Sequence, residues 1–150
     1  MLLIGYGNPG RGDDGLGPAF AERIEGAGLP GVEVDIDYQL TLDQVLSVSS
    51  AERVVVVDAE IGLDAPYRFR SLAPAANGDL TSHSLSPGEV LALARLLYGR
   101  APDCHLLGIS GSEFGEIREG LSARAAANLD LAESFFLEWV RTRERDRCRR

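Results

Sequence analysis

The 150-residue sequence contains no lysine and only two cysteines, Cys104 and Cys148. Two thiols cannot form a four-thiolate zinc site. We expect no disulfide between them, since one lies beside a predicted buried strand and the other in an arginine-rich tail.

No apolar run approaches the roughly 18 residues that a membrane-spanning helix needs, and the densest run is Val54 to Val57. The Gly-x-Ser-x-Gly, His-Glu-x-x-His, Cys-x-x-Cys and Walker patterns are also missing, so the commoner hydrolase and nucleotide-binding classes lack support.

Charge is distributed unevenly along the chain. The formal net charge is −8, and all 15 basic residues are arginines. Six of them fall in residues 141–150 beside two acids, so this tail carries +4 and residues 1–140 carry −12. A body this acidic repels a phosphate backbone, and we expect neither nucleic acid nor a membrane as a partner. The tail is expected to be a solvated helix end or a frayed terminus.

The length and the first residues predict a single cytoplasmic domain. A chain of 150 residues favours one domain with one core over residues 1–150, and we expect a monomer. Apolar residues begin at Leu2 with no basic segment before them. This start favours a first strand over a signal peptide, and therefore a cytoplasmic protein.

Strand patterns alternate with helix patterns along the chain. Strands are predicted at 2–5, 32–38, 54–57, 67–72 and 106–109. Helices are predicted at about 15–27, after Thr41, at 86–99 and from about Ser122. The central run of valines, which ends at Asp58, is apolar on both faces, as is typical of a central parallel strand. We therefore predict a three-layer α/β/α fold with a mostly parallel, partly mixed sheet of about five strands and helices on both faces.

The clearest helix start is Ser86-Pro87-Gly88-Glu89, a capping box with proline at the first helical position. The predicted end of this helix is Gly99. Its predicted buried stripe consists of Val90, Leu93, Ala94 and Leu97. The loop that leads into the helix carries His83, between two serines.

The turn after the first strand contains Gly5-x-Gly7-x-x-Gly10, a literal dinucleotide fingerprint. Asp35 or Asp37, at the end of the second strand, could supply the acid that binds a ribose. The pair Asp13-Asp14 would however repel a pyrophosphate on this turn, and Pro18 places the helix start near residue 15. Nucleotide binding is therefore the minor alternative.

Acidic side chains follow two buried strands, and a histidine precedes a helix. Of Asp13 and Asp14, one is expected to cap the first helix, which leaves the other free. The free carboxylate, Asp58 and His83 can converge at one edge of the sheet, where they would form an open site for nickel, zinc or a similar ion. As structural alternatives, Asp58 could bond loop amides and His83 could anchor its loop. His105, which opens a buried strand, is interpreted as structural.

Four ordered motifs indicate a family. The segments Gly5-Tyr6-Gly7-Asn8 and Asp13-Asp14-Gly15-Leu16-Gly17 together resemble the opening motif of the [NiFe]-hydrogenase maturation endopeptidases. The resemblance continues, in the family's order across residues 1–140, with Asp58-Ala59, Ser82-His83-Ser84-Leu85-Ser86 and Gly120-Leu121-Ser122. It implies that Asp14, Asp58 and His83 bind nickel and that Asp13 caps the helix. Asp14 stands where many members have glutamate.

The resemblance also implies an activity. Enzymes of this family cut a C-terminal extension from the hydrogenase large-subunit precursor once nickel has been inserted. The implied type is an aspartic or metal-dependent peptidase, in which Asp14 or Asp58, or a metal-polarised water, attacks the scissile carbonyl. Nickel is expected to arrive with the precursor, with zinc or cadmium as surrogates in vitro. The alternatives are a non-proteolytic nickel-binding maturation chaperone with the same ligands and, less favoured, a nucleotide-binding module.

Overall fold

The computed structural model describes residues 1–76 and 84–148, and side chains only as far as residue 146. His83 therefore lies outside the described residues. The strands are β1 (Leu2–Tyr6), β2 (Glu33–Asp37), β3 (Arg53–Ile61), β4 (Tyr67–Ser71) and β5 (Asp103–Gly111). The helices are a 3-10 turn (Gly12–Gly15), α1 (Leu16–Ala27), α2 (Asp43–Ser50), α3 (Pro87–Tyr98) and α4 (Ala123–Cys148).

The described strands form one sheet in the order β2-β1-β3-β5-β4. The first four run parallel, and β4 runs antiparallel to β5. This mostly parallel sheet with an antiparallel edge strand confirms the predicted fold class. The predicted end of the central strand at Asp58 is wrong. Strand β3 continues to Ile61 because β5 extends to Gly111 and pairs with it throughout.

Helices cover both faces of the sheet. Helices α1 and α4 pack on one face, in a core that includes Leu3 and Val55. Helices α2 and α3 pack on the other, in a core that includes Ile4 and Val56. Successive strand side chains point to opposite faces, so the run Val54–Val57 is buried on both sides.

The capping box of α3 is confirmed, whereas part of its predicted buried stripe is wrong. The Glu89 amide donates to Ser86 Oγ at 3.3 Å, and the Ser86 amide donates to Glu89 Oε2 at 2.6 Å. Leu97 is 60% exposed, and Leu91 is buried in its place at 1%. Helix α3 contacts α2, and Leu91 belongs to the core that these two helices form on this face of the sheet.

The arginine-rich segment continues α4 as far as Cys148. Residues 141–146 are exposed, and the Arg143 guanidinium lies 4.9 Å from the centre of the Trp139 ring. Cys104 is a free, buried thiol. Among the helices in the described ranges, none combines the length and apolar character needed to cross a bilayer.

Candidate functional site

The glycines of the first turn allow main chains to approach closely. A β-carbon on Gly7, where φ is +144°, would collide with the carbonyl oxygen of Asp14. Helix α1 begins at Leu16, after the acidic pair, as Pro18 predicts. The fingerprint Gly5-x-Gly7-x-x-Gly10 therefore does not open onto a helix N-terminus, which is the context that dinucleotide binding requires.

Asp37, the alternative ribose ligand, has partners of its own. Its carboxylate accepts hydrogen bonds from the Gln44 amide group at 3.1 Å and from the Tyr38 main-chain amide at 2.7 Å. These contacts link the end of β2 to α2. They give Asp37 a structural role at the sheet edge.

Asp13 does not cap α1, and that prediction is wrong. Neither the 3-10 turn nor α1 has a side-chain cap, and the Asp13 side chain is fully buried. Its Oδ2 accepts from the amides of Ser112 (2.8 Å) and Glu113 (2.9 Å) and from the Ser122 hydroxyl (2.8 Å). Its Oδ1 accepts from the Ser122 amide at 2.7 Å. The carboxylate thus ties the first turn to the connection between β5 and α4, whose donors lie about 100 residues away in sequence.

These hydrogen bonds favour the ionised form of Asp13. Burial raises the pKa of the carboxyl, but the amides of Ser112, Ser122 and Glu113 outweigh it and hold the pKa below its ordinary value. A lowered folded-state pKa stabilises the fold above the unfolded-state pKa. That stability is lost as the pH falls through the folded-state value.

Asp14 and Asp58 lie together at the carboxyl edge of the sheet, where ligands of such folds gather. Asp14 follows β1, and its Oδ2 accepts from the Asn8 amide at 2.9 Å. Gly5 of β1 is the register partner of Val57 of β3, so Tyr6 and Asp58 come next on the two strands. The Tyr6 hydroxyl donates to Asp58 Oδ2 at 2.6 Å.

Tyr6 contacts the candidate site residue Asp58, a role that the sequence analysis did not assign to it. In the sequence it appears only as part of the motif Gly5-Tyr6-Gly7-Asn8 and as the variable residue of Gly5-x-Gly7. Its relation to Asp58 depends on the register between β1 and β3, which pairs residues 52 positions apart. The sequence offers one indication of this contact: Tyr6 and Asp58 each come directly after a short run that is predicted to be a strand.

The surroundings of Asp58 disfavour its ionised form. Burial is the main cause that raises its pKa, and the charges of Asp14 and Glu60 act in the same direction. Hydrogen bonds from Tyr6 and the Ala59 amide act against this rise without cancelling it. Burial and the Asp58 charge also raise the pKa of Tyr6 well above its ordinary value, so this hydroxyl stays a donor.

We expect Tyr6→Phe to raise the pKa of Asp58 further. The substitution removes the hydroxyl that donates to the ionised carboxylate at 2.6 Å, while the ring and its packing remain. Carboxyl-carbon NMR titration of the wild type and the variant measures the shift. An unchanged or lowered pKa would show that the tyrosine does not stabilise the carboxylate.

Glu60 follows Asp58 by two residues and pairs with Arg68 of β4. The pair lies across Gly108, and a β-carbon at this position would collide with the Glu60 carboxylate. Asp58 and Arg68 are both register partners of Gly108. The carboxyl edge thus carries a row of charged groups beside Asp58.

The third predicted metal ligand, His83, cannot be placed against these carboxylates. The chain re-enters the described region just after it, and Leu85 forms a bridge with Leu40 beyond the end of β2. Across residues 1–76 and 84–148, no three His, Cys, Asp or Glu side chains are grouped to hold a metal ion. Asp14 and Asp58 are two carboxylates, and a borderline divalent ion bound by them would need a further donor.

His105 lies on the α4 side of the sheet, away from Asp58. Its ring stacks on Phe69 at 4.9 Å and meets Trp139 edge-on at 5.6 Å. Within the described chain its buried Nδ1 has no hydrogen-bond partner, and Asp103 Oδ1 is 3.7 Å away. Burial is the main cause that lowers its pKa; Arg143 and Arg53 lower it further, and Asp103 opposes them.

This environment predicts an acid-sensitive contribution to stability from His105. The unfolded chain takes up a proton near pH 6.5, the ordinary pKa of histidine, whereas the folded form resists it. The free energy of unfolding should therefore fall as the pH drops below that value. In His105→Phe, which keeps the stack on Phe69, we expect a shallower fall, measured by urea denaturation at pH 7.5 and pH 5. If the free energy of unfolding fell equally in the wild type and in His105→Phe, the acid sensitivity would not come from His105.

Several solved structures with this architecture are hydrogenase maturation endopeptidases or proteases. The hydrogenase-maturating endopeptidase HybD from E. coli aligns with a TM-score of 0.74 and 20% identity, over 94% of this chain and 91% of its own. The [NiFe] hydrogenase maturation protease HycI from Thermococcus kodakarensis aligns with a TM-score of 0.67 and 26% identity, over 89% and 88%. An uncharacterized protein from Wolinella succinogenes aligns with a TM-score of 0.72 and 23% identity, over 95% and 97%.

No protein-family model and no curated protein sequence matches the chain. The likeness is therefore one of structure, and it extends over at least 88% of each chain compared above. The structural likeness and the sequence motifs of residues 1–140 point to the same family. This chain has the three-layer α/β fold of the hydrogenase maturation endopeptidases, the family that its sequence resembles.

Proposed function

We propose that this protein is an endopeptidase that removes the C-terminal extension of a nickel-loaded [NiFe]-hydrogenase large-subunit precursor. One observation carries the proposal: at the carboxyl edge of the sheet Asp14 is near enough to Asp58 for its charge to act on it, in a chain that is similar over most of its length to a [NiFe] hydrogenase maturation protease. The sequence resemblance assigns catalysis and metal contact to these same two carboxylates.

The electrostatics of the two carboxylates fit a cationic ligand. The Asp14 charge helps to raise the pKa of Asp58, so two negative charges here oppose each other. A divalent cation relieves that repulsion, and two carboxylates with the imidazole of His83 form a donor set suited to nickel. In this proposal the nickel belongs to the precursor. By recognising it, the enzyme cleaves only those precursors in which nickel insertion is complete.

Peptide hydrolysis at this site needs a base and an acid. Either Asp14 or Asp58 takes a proton from the attacking water as its oxygen bonds to the scissile carbonyl carbon. When the carbon–nitrogen bond breaks, the same carboxyl returns the proton to the departing amine. Tyr6 holds the Asp58 carboxylate in place for this exchange through its hydrogen bond to Oδ2.

The test is incubation of the protein with nickel-loaded precursor, followed by intact-mass spectrometry. Two products whose masses sum to precursor plus one water support the proposal. A metal-free extension peptide is the control, and it should stay uncut. Robust cleavage of that peptide would contradict recognition through the metal. Binding of the loaded precursor without cleavage would instead indicate a nickel-binding chaperone.

A further inference from the structure

The Asp13 side chain is buried and accepts four hydrogen bonds from the connection between β5 and α4. Besides the four hydrogen bonds to its side chain, its own amide donates to the Glu113 carbonyl at 2.9 Å. The neighbouring Gly12 amide donates to the Arg118 carbonyl at 2.8 Å. The connection between β5 and α4, residues 112–122, is thereby bound to the turn that carries Asp14.

The 3-10 turn separates the two adjacent carboxylates. Such a turn has three residues per revolution, so successive side chains point about 120° apart. Asp13 is fully buried against the connection, and Asp14 is half-buried at the sheet edge. Among the described residues, the Asp14 carboxylate accepts one hydrogen bond, from the Asn8 amide at 2.9 Å.

Two glycines make room for Asp13. A β-carbon on Gly111 would lie 2.8 Å from the Asp13 β-carbon. A β-carbon on Gly12, where φ is +61°, would lie 2.7 Å from the Glu113 carbonyl oxygen. Both contacts are closer than side chains permit. At these two glycines the turn and the connection are in close contact. A shift of the turn that carries Asp14 would therefore disturb the contacts of Asp13.

We infer that Asp13 is a positioning residue for Asp14. The inference rests on the proposed function, in which Asp14 contacts the nickel-loaded precursor. Asp13 fixes the turn from the inside, through donors contributed by a distant segment, and leaves Asp14 directed outward at a set position. The same contacts fix both walls of a cleft of about 220 Å³, formed by Gly12 and residues of the 112–118 segment.

Asp13→Asn tests the inference. Four donors converge on the side chain, and an asparagine offers them one acceptor and adds two donors of its own. The turn should loosen. Below the melting temperature we expect kcat on nickel-loaded precursor to fall about 10²-fold, the loss typical of a misplaced catalytic group.

A second readout does not depend on activity. The Asn8 amide bonds to Asp14 Oδ2, so its hydrogen-exchange protection reports the position of that carboxylate. Protection should be lost in Asp13→Asn. Val140→Ala is the matched control, since it removes buried side-chain volume from the opposite half of α4. It should lower the melting temperature but leave both Asn8 protection and kcat unchanged.

Ser122→Ala is a second, milder variant that tests the inference if Asp13→Asn fails to fold. It removes the hydroxyl that donates to Asp13 at 2.8 Å but keeps the main-chain donors. A smaller loss of Asn8 protection and of kcat is expected. Retained protection and control-like kcat in the folded variants would overturn the inference while leaving the proposed function intact. If the wild type does not cut the precursor, the proposed function fails, and Asn8 exchange still decides whether Asp13 positions Asp14.

Discussion

Asp58→Asn should leave the protein folded and lower the rate of precursor cleavage by about 10²- to 10⁴-fold, the usual contribution of a general acid–base group. Asparagine keeps an oxygen that can accept the Tyr6 hydroxyl, and it cannot take a proton from water. Because the folded-state pKa of Asp58 is raised, its charge opposes folding near neutral pH, and the amide should not reduce the melting temperature. Intact-mass spectrometry and thermal melting measure the two effects.

The control for this variant is Asp64→Asn, which makes the same change of charge at an exposed position after β3. It should cleave at the wild-type rate. In the proposed function Asp14→Asn and His83→Ala should lose cleavage as Asp58→Asn does. Wild-type cleavage by Asp58→Asn would refute a catalytic role for Asp58. A melting temperature several degrees lower would instead favour a structural role.

Gly17→Ala should lower the free energy of unfolding by about 3 kcal/mol or more, the upper end of what overpacking costs. A β-carbon on Gly17 would lie 2.7 Å from the Val57 carbonyl oxygen and would also collide with the Tyr6 carbonyl oxygen. These are strand main-chain atoms, which cannot move aside as a flexible side chain can. The first turn of α1 would have to lift away from β1 and β3. Urea denaturation measures the loss.

Gly26→Ala is the matched control in the same helix. A β-carbon there meets nothing within 4 Å, and alanine is a better helix former than glycine. The free energy of unfolding should therefore rise by up to about 1 kcal/mol. If the two variants were equally stable, close approach of α1 to the sheet would not explain the glycine at position 17.

Much of the fold was predictable because its signals are local. The all-apolar run at 54–57 identified a central strand, and Ser86 with Glu89 identified the start of α3. Leu97 and the end of β3 were mispredicted. Which side of α3 is buried depends on its contact with α2, and the end of β3 depends on its pairing with β5. Both partners are distant in sequence from the residues concerned.

The sequence by itself determined the layered α/β architecture and brought Asp58 and the pair Asp13-Asp14 to attention, because residues that follow parallel strands share one edge of the sheet. Tertiary structure alone decided that Asp13 is buried while Asp14 faces outward, and that Tyr6 bonds to Asp58. Adjacent aspartates are chemically identical in a sequence. What separates them is a set of donors about 100 residues away, which reach Asp13 only after the chain has folded.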